Sequence, residues 1–229
     1  MTQERIQEFI TLQTKLNELV HPLWHEQNYD WTQAALMEAV EAYDSLPWKW
    51  WKHQTLDTQN LQTELIDVFH FILSQSIELD IQNNTKLTQE VMTNLTLLND
   101  DFVTTYQALQ TQDQQIDLLK TSLKELIRAL INRQNLITIF ALWFKAYTLS
   151  GLNLQDLQRT YLTKNTLNIL RQQLGYKEGT YKKLLSYNNL PDKQEDNKII
   201  FDLQSKLDIT DPDFTNKIKS KFLEVYQGQ

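Results

Sequence analysis

Four acidic side chains stand out because they form two pairs, each with a spacing of three residues in otherwise apolar sequence. Glu38 and Glu41 are the only charged residues in the stretch AALMEAVEAY. Glu64 and Asp67 open the stretch ELIDVFHFIL, in which a histidine is the only other polar residue. On a helix, this spacing places two side chains about 60° apart on one face. Each stretch therefore predicts a helix that is acidic along one narrow stripe and apolar elsewhere.

A single acidic stripe is more often the solvated face of an amphipathic helix than a site. These two stripes, however, lack the Lys, Gln and Ser that usually accompany acids on such a face, and the segment between them can fold back as a helical hairpin. Carboxylates that face each other in a poorly hydrated crevice are costly as bare anions. Oxygen ligands without cysteine or clustered histidine suit Mg²⁺ or Mn²⁺, which complete their coordination with water and phosphate oxygens. The paired stripes thus predict metal-assisted phosphate chemistry.

A basic segment follows later in the chain and predicts an anion site. Lys164, Asn168 and Arg171 recur at helical spacing, and the turn GYKEGTYKK comes next. A solvated face would explain the helical stripe equally well. The glycine-flanked, lysine-rich turn favours the anion site, because such turns present backbone N–H groups to phosphate, and Arg and Lys bind the same ligand.

Three tryptophans crowd into residues 48–51, directly after Pro47. Tryptophan more often belongs to a core or an interface than to a ligand site. An aromatic ring close to a phosphate and metal site is nevertheless what a nucleobase would stack on. One of the three is predicted to contact a base while the others pack.

These residues must be positioned by helices, because 4 Gly and 4 Pro in 229 residues leave few places for tight turns. The apolar periodicity predicts helices over 3–20, 31–46, 57–81, 86–110, 114–150 (broken near Arg133), 153–174 and 213–226, and no substantial sheet. Residues 186–198 read as a loop. We expect a single all-α catalytic domain over residues 1–229, with a mobile helical segment around 82–130.

Composition excludes several classes of function. The chain has no cysteine, which rules out disulfides, thiolate metal sites and a cysteine nucleophile. A net charge of −7 argues against a nucleic-acid partner. The polar N-terminus predicts no signal peptide, and the longest apolar tract, 136–149, is too short to span a membrane. We therefore expect a cytoplasmic protein without a membrane or nucleic-acid partner.

Taken together, these residues resemble the dimeric all-α dUTPase family, which is related to the MazG-like NTP pyrophosphohydrolases. An ExxE motif followed by ExxD is common to that wider superfamily. Its combination with WKxW and KNxLNxxRQxxGYKxGxYKK is far more specific. The resemblance is carried by LQTKLN (12–17), MEAVEAYDSLPWKWWK (37–52), ELIDVFHF (64–71) and GLNLQDLQRTYLTKNTLNILRQQLGYKEGTYKK (151–183).

The resemblance implies a helical bundle of the all-α NTP pyrophosphatase type that hydrolyses dUTP, and also dUDP, to dUMP. Water would attack the β-phosphorus, and pyrophosphate or phosphate would be released. Glu38 and Glu41 would be the catalytic pair, with Glu38 preferred as the general base. Two or three Mg²⁺ ions per active site, for which Mn²⁺ could substitute, would be bound by Glu38, Glu41, Glu64 and Asp67.

The resemblance also assigns the substrate contacts, residue by residue. The phosphate and sugar ligands would be Lys164, Asn168, Arg171, Tyr176, Lys177 and Lys183. The uracil contacts would be Gln13, Asn17, Trp48, Trp51 and, as a weaker candidate, His70. Amide side chains suit the uracil edge because each offers both a donor and an acceptor.

The family is homodimeric, and the apolar helix LITIFALWFKAYTL is a plausible contributor to the interface. Two alternatives remain open. The chain could be another all-α nucleoside triphosphate pyrophosphohydrolase, with dCTP or broad housecleaning specificity. It could also be a non-enzymatic helical module whose acidic stripes bind basic partners.

Overall fold

The computed structural model describes residues 1–228, and these contain nine α-helices and one pair of two-residue strands. The prediction of an all-α protein without a substantial sheet is confirmed. No helix among the described residues is both long enough and apolar enough to cross a bilayer. The helices are α1 (Gln3–Val20), α2 (Trp31–Asp44), α3 (Thr58–Asn83), α4 (Leu87–Gln107), α5 (Gln112–Ile131), α6 (Leu136–Leu149), α7 (Leu154–Gln173), α8 (Asp196–Ser205) and α9 (Phe214–Gln227).

The chain groups into two compact units, residues 1–157 and the residues from 158 onward. The boundary falls within the first turn of α7. The single catalytic domain expected over residues 1–229 stays a prediction.

The core of the first unit is built around α3. This helix is apolar on most sides, and Leu65, Ile66 and Phe69 are fully buried. The ring of Phe69 stacks on Trp143 of α6, with ring centroids 4.6 Å apart, and the indole N–H of Trp143 donates to the backbone oxygen of Leu65 at 2.6 Å. A central helix held this firmly is a rigid support for the acidic residues on its remaining stripe.

Helix α2 packs on α3 and α5 through small side chains. Ala35, Ala39 and Ala42 recur at helical spacing and are fully buried, which lets the helix backbones approach closely. Asp30 caps the start of α2 by accepting from the backbone N–H of Gln33 at 3.0 Å. The acidic stripe lies beside this buried alanine face, so the carboxylates stand close to the neighbouring helix.

The helix break predicted near Arg133 is confirmed. Helix α5 ends at Ile131 and α6 begins at Leu136, and Arg133 adopts the left-handed conformation (φ +47°), which is uncommon for a residue other than glycine. The guanidinium of Arg133 donates to Asp30 at 2.6 Å. The turn between α5 and α6 is therefore tied to the start of α2.

The strongly apolar composition of helix α6 fits its position inside the first unit. Phe140, Trp143, Phe144 and Tyr147 are all nearly or fully buried within the chain, where α6 packs on α3, α4 and α5. Its composition is thus explained without a partner chain. The contribution of this helix to a homodimer interface stays a prediction.

The second unit has its own core. Strands β1 (Leu184–Leu185) and β2 (Gln194–Glu195) pair in antiparallel register, and α8 and α9 follow. The expectation that all of residues 186–198 form a loop is wrong at its end, because β2 and the first turn of α8 lie there. The buried side chains that hold the unit together are Leu167, Leu170, Leu185, Ile199, Ile200, Leu203, Phe214, Ile218 and Phe222.

Candidate active site

The hairpin of α2 and α3 sets the position of the predicted metal ligands. At one end, the side-chain amide of Asn60 donates to the hydroxyl of Ser45 at 2.9 Å, and the backbone N–H of Asp57 donates to the backbone oxygen of Ser45 at 3.0 Å. At the other end, the amide of Gln75 donates to the hydroxyl of Thr32 at 3.0 Å. These contacts fix an antiparallel register between the two helices.

The structure brings three of the four carboxylates into one cluster: ligand oxygens of Glu38, Glu41 and Glu64 all lie within 4.8 Å of one another. Glu64 is buried, Glu38 half-buried and Glu41 exposed, so the cluster runs from the helix interface to the surface. Asp67 is half-buried and outside this cluster, and its role as a ligand stays a prediction.

The chemistry of this cluster fits a hard divalent cation. Three carboxylates so close together repel one another, and a bound cation would offset that repulsion. All of the donor atoms are oxygens, and Mg²⁺ prefers a few carboxylates together with water and substrate phosphates. The exposed side of the cluster, at Glu41, leaves access for such ligands.

A polar cavity of about 300 Å³ opens beside Glu41, between the end of α2 and the start of α3. Asp44 lines this cavity and is held by two neighbours, because Lys49 and the indole N–H of Trp48 donate to its carboxylate. These hydrogen bonds, that from Lys49 first, keep the pKa of Asp44 below its usual value. The other lining residues are Ser45, Gln54, Thr55, Asp57 and Asn60.

The three tryptophans of the α2–α3 loop differ in their surroundings. Trp48 is half-buried and anchored through Asp44, and its ring makes an edge-to-face contact with Trp51 at 5.4 Å between centroids. Trp51 is 58% exposed, and Trp50 is 91% exposed. The ring of Trp51 therefore contacts Trp48 on one side and also Trp50, whose ring centroid lies 5.5 Å away, and Trp50 is the most exposed of the three.

The other residues predicted to contact uracil form a buried network. The side-chain amide of Gln13 donates to Asn17 at 3.0 Å and to the Ser74 hydroxyl at 2.9 Å. The amide oxygen of Gln13 lies 2.7 Å from Nδ1 of His70, so Nδ1 carries the proton and donates. All four side chains are nearly buried. The structure brings Gln13, Asn17 and His70 together, and their contact with a base stays a prediction.

Within the second unit, the structure also gathers most of the predicted phosphate ligands. Arg171 donates to Asn168 at 3.4 Å, and its guanidinium carbon lies 5.9 Å from the ring centroid of Tyr176. The ammonium of Lys183 lies 5.5 Å from the same ring. Lys164 is fully buried in the structure. Lys177 is exposed on the turn after α7.

Three residues of these clusters, Ser74, Asp196 and Asn197, were not predicted from the sequence. Ser74 continues the polar stripe of α3 one turn beyond His70, and this spacing was a signal that could have identified it. Asp196 and Asn197 contact the basic residues of α7, but they lie in the segment expected to be a loop. No spacing in the sequence connects them to α7, because the contact is made only by folding.

A family model described as dUTPase matches residues 5–176, which is more than half of the 229 residues. The matched range includes every residue named above as a metal or uracil ligand. A search among curated proteins found no match.

Proposed function

Because the chain belongs to the dUTPase family, we propose that it is a Mg²⁺-dependent enzyme that hydrolyses dUTP, and also dUDP, to dUMP. The observation that carries the proposal is the cluster of Glu38, Glu41 and Glu64 on two helices of fixed register. A non-enzymatic helical module would not need three carboxylates to converge beside a polar cavity.

In this proposal Glu38, Glu41 and Glu64, together with Asp67, hold two or three Mg²⁺ ions, for which Mn²⁺ can substitute. Bound Mg²⁺ would neutralise charge on the phosphate oxygens and lower the barrier to attack by water. The carboxylate of Glu38 accepts a proton from the attacking water. The water oxygen bonds to the β-phosphorus, the bond to the α–β bridging oxygen breaks, and dUMP leaves.

The remaining substrate contacts in this proposal are the ones that the resemblance implies. Phosphates and sugar are assigned to Lys164, Asn168, Arg171, Tyr176, Lys177 and Lys183. The base is assigned to Gln13, Asn17, Trp48, Trp51 and His70. Gln13 and Asn17 would exchange hydrogen bonds of their network for bonds to uracil.

A turnover assay on a nucleotide panel tests the proposal. Purified protein with Mg²⁺ should release pyrophosphate from dUTP far faster than from dCTP or UTP, and a chelator should abolish the reaction. A preference for dCTP would keep the metal site and reject the uracil assignment. Absence of turnover on every nucleotide would reject the enzymatic proposal.

The site of attack and the assembly state have separate tests. In ¹⁸O-labelled water the label should appear in pyrophosphate, whereas label in dUMP would rule out attack at the β-phosphorus. We further propose a homodimer in the cytoplasm. Light scattering should give twice the 27.2 kDa chain mass, and a monomer at working concentration would contradict this.

A further inference from the structure

A buried ion pair of the second unit joins Asp196, at the start of α8, to Arg171 of α7. Its two carboxylate oxygens accept from Nε and from an Nη of Arg171, each at 2.9 Å, in the bidentate geometry favoured by a guanidinium. The side chain of Asp196 is 2% exposed, and that of Arg171 is 13% exposed. The hydroxyl of Tyr181 also donates to Asp196, at 2.9 Å.

These contacts outweigh the cost of burying the carboxylate. Burial by itself would raise the pKa of Asp196, but the hydrogen bonds and charge of Arg171 hold it below its usual value. Burial and the neighbouring Asp196 raise the pKa of Tyr181, so this hydroxyl remains a hydrogen-bond donor. Asp196 is therefore a fixed anion that faces one edge of the guanidinium.

The neighbouring residue orients the second cation of α7. Oδ1 of Asn197 accepts from the buried ammonium of Lys164 at 2.7 Å and from Arg171 at 3.3 Å. The backbone N–H of Asn197 donates to the carboxylate of Asp196 at 2.8 Å, which fixes this side chain at the start of α8. Two adjacent residues of α8 thus set the direction of both cations.

The same residue also anchors the lysine-rich turn. The backbone N–H of Asp196 donates to the backbone oxygen of Lys183 at 2.9 Å, directly beside the β1–β2 pairing of Leu184 with Glu195. The proposed phosphate ligands on α7 and on the turn consequently share one support. That support lies beyond residue 176, where the family match ends.

We propose that Asp196 is a positioning residue for phosphate binding. It fixes the guanidinium of Arg171, and through Asn197 the ammonium of Lys164, in the orientation in which they meet the phosphate chain of the nucleotide. This inference rests on the proposed function. It adds to the proposed site a residue that acts through its neighbours and touches no substrate atom. A guanidinium already held on one edge loses less side-chain entropy when its other edge binds phosphate.

Replacement of Asp196 by Asn keeps the size of the side chain and removes the charge and one acceptor. The expected result is a rise of KM for dUTP by about 10- to 100-fold, with kcat changed much less, because the lost orientation weakens phosphate binding. Calorimetry with inorganic tripolyphosphate should show the same loss of affinity. Inhibition by deoxyuridine, which has no phosphate, should be unchanged.

Asp202→Asn is the matched control. Asp202 lies on the same helix and also joins a basic residue, Lys206, to a tyrosine, Tyr187, but Lys206 is exposed and the other two are only half-buried. The control should leave KM, tripolyphosphate affinity and deoxyuridine inhibition at wild-type values. An Asp196→Asn variant that behaves like the control would overturn the proposal.

A double-mutant cycle separates positioning from general destabilisation. In an Arg171→Ala background, Asp196→Asn should weaken tripolyphosphate binding only through Lys164, and so by much less than in the wild type. Equal losses in both backgrounds would contradict the proposal. Tyr181→Phe removes one hydrogen bond from Asp196 without altering its charge. If Asp196→Asn does not fold, Tyr181→Phe should show smaller changes of KM and of tripolyphosphate affinity in the same direction.

The two proposals fail in different ways. If the wild-type protein binds tripolyphosphate but turns over no nucleotide, the proposed function is rejected while the role of Asp196 in anion binding can still be measured. If the wild type hydrolyses dUTP and Asp196→Asn retains its KM and its tripolyphosphate affinity, only the positioning role is rejected.

Discussion

At the scale of single residues, the candidate site combines acids that are well separated in the chain but close in space. Glu38 and Glu41 come from one helix and Glu64 from the next, and their ligand oxygens converge within 4.8 Å. If the acidic stripe is only a solvated face, the loss of one carboxylate should leave turnover unchanged. If the stripe binds a metal ion, the same loss should reduce turnover strongly. Glu41 is the sharpest test, because it is exposed and its replacement leaves the helix packing intact.

Glu41→Gln is expected to reduce turnover of dUTP by roughly 100-fold or more, because a metal ligand is lost while the shape of the side chain is kept. Addition of Mg²⁺ should raise the melting temperature of the wild type and raise that of the variant much less, since a ligand that binds only the folded state stabilises it. Glu90→Gln on α4, also exposed, should match the wild type in both measurements. Wild-type turnover in Glu41→Gln would support a solvated face.

The adjacent tryptophans Trp50 and Trp51 allow the base contact to be tested against a neighbouring control. Trp51→Ala should raise KM for dUTP by roughly 5- to 150-fold, because stacking of a base on an aromatic side chain contributes about 1–3 kcal/mol. Trp50→Ala, at the most exposed of the three rings, should leave KM unchanged. Steady-state kinetics on both variants checks this, and the reverse ranking would reject the base contact assigned to Trp51.

At the scale of elements, the metal site depends on the register of one helical hairpin. Asn60 and Ser45 close the end of the hairpin that is near Glu41, and Gln75 and Thr32 close the far end. Both pairs are partly buried side-chain hydrogen bonds of similar length. Only the near pair lies beside the carboxylates, so the two ends should contribute differently to function.

Asn60→Ala is expected to weaken Mg²⁺ activation by about 10-fold, in the range found for residues that orient metal ligands. Gln75→Ala removes a comparable hydrogen bond and should cost a similar amount of folding stability, about 1 kcal/mol. Its Mg²⁺ dependence should stay close to that of the wild type. Turnover measured against Mg²⁺ concentration, with urea unfolding alongside, checks both; equal Mg²⁺ dependence in the two variants would exclude a special role for Asn60.

At the scale of the whole molecule, the stability of the fold should depend on pH through Glu78, a buried acid of α3. Glu78 is 8% exposed, and neither its Oε1 nor the indole Nε1 of nearby Trp31 has a hydrogen-bond partner among the described residues. Burial raises the pKa of Glu78, and Trp31 and His25 only partly oppose this. The folded protein therefore binds the proton of Glu78 more tightly than the unfolded chain does.

A raised pKa means that Glu78 destabilises the folded state as pH rises above its ordinary value of 4.5. Glu78→Gln should consequently be more stable than the wild type at neutral pH, and the difference should shrink as pH falls through the raised pKa of Glu78 towards 4.5. Urea unfolding at several pH values measures this difference. A stability gain that grows toward low pH would contradict the direction of the shift.

The sequence alone determined the features that depend on local pattern. Helical periodicity and the scarcity of Gly and Pro established the all-α class, and the break at Arg133 was visible because two apolar patterns meet there. The spacing of Glu38 with Glu41, and of Glu64 with Asp67, identified the acidic stripes, because side chains three residues apart share one face of a helix.

Only the tertiary structure decided which of these patterns meet. Hydrogen bonds at both ends of the α2–α3 hairpin fix the register that brings Glu64 to Glu38 and Glu41. Helix packing explains the apolar α6 as core, and folding of the second unit places Asp196 on Arg171 across 25 residues. A contact between distant residues leaves no period in the sequence, because it depends on how helices pack and not on the geometry of any one helix.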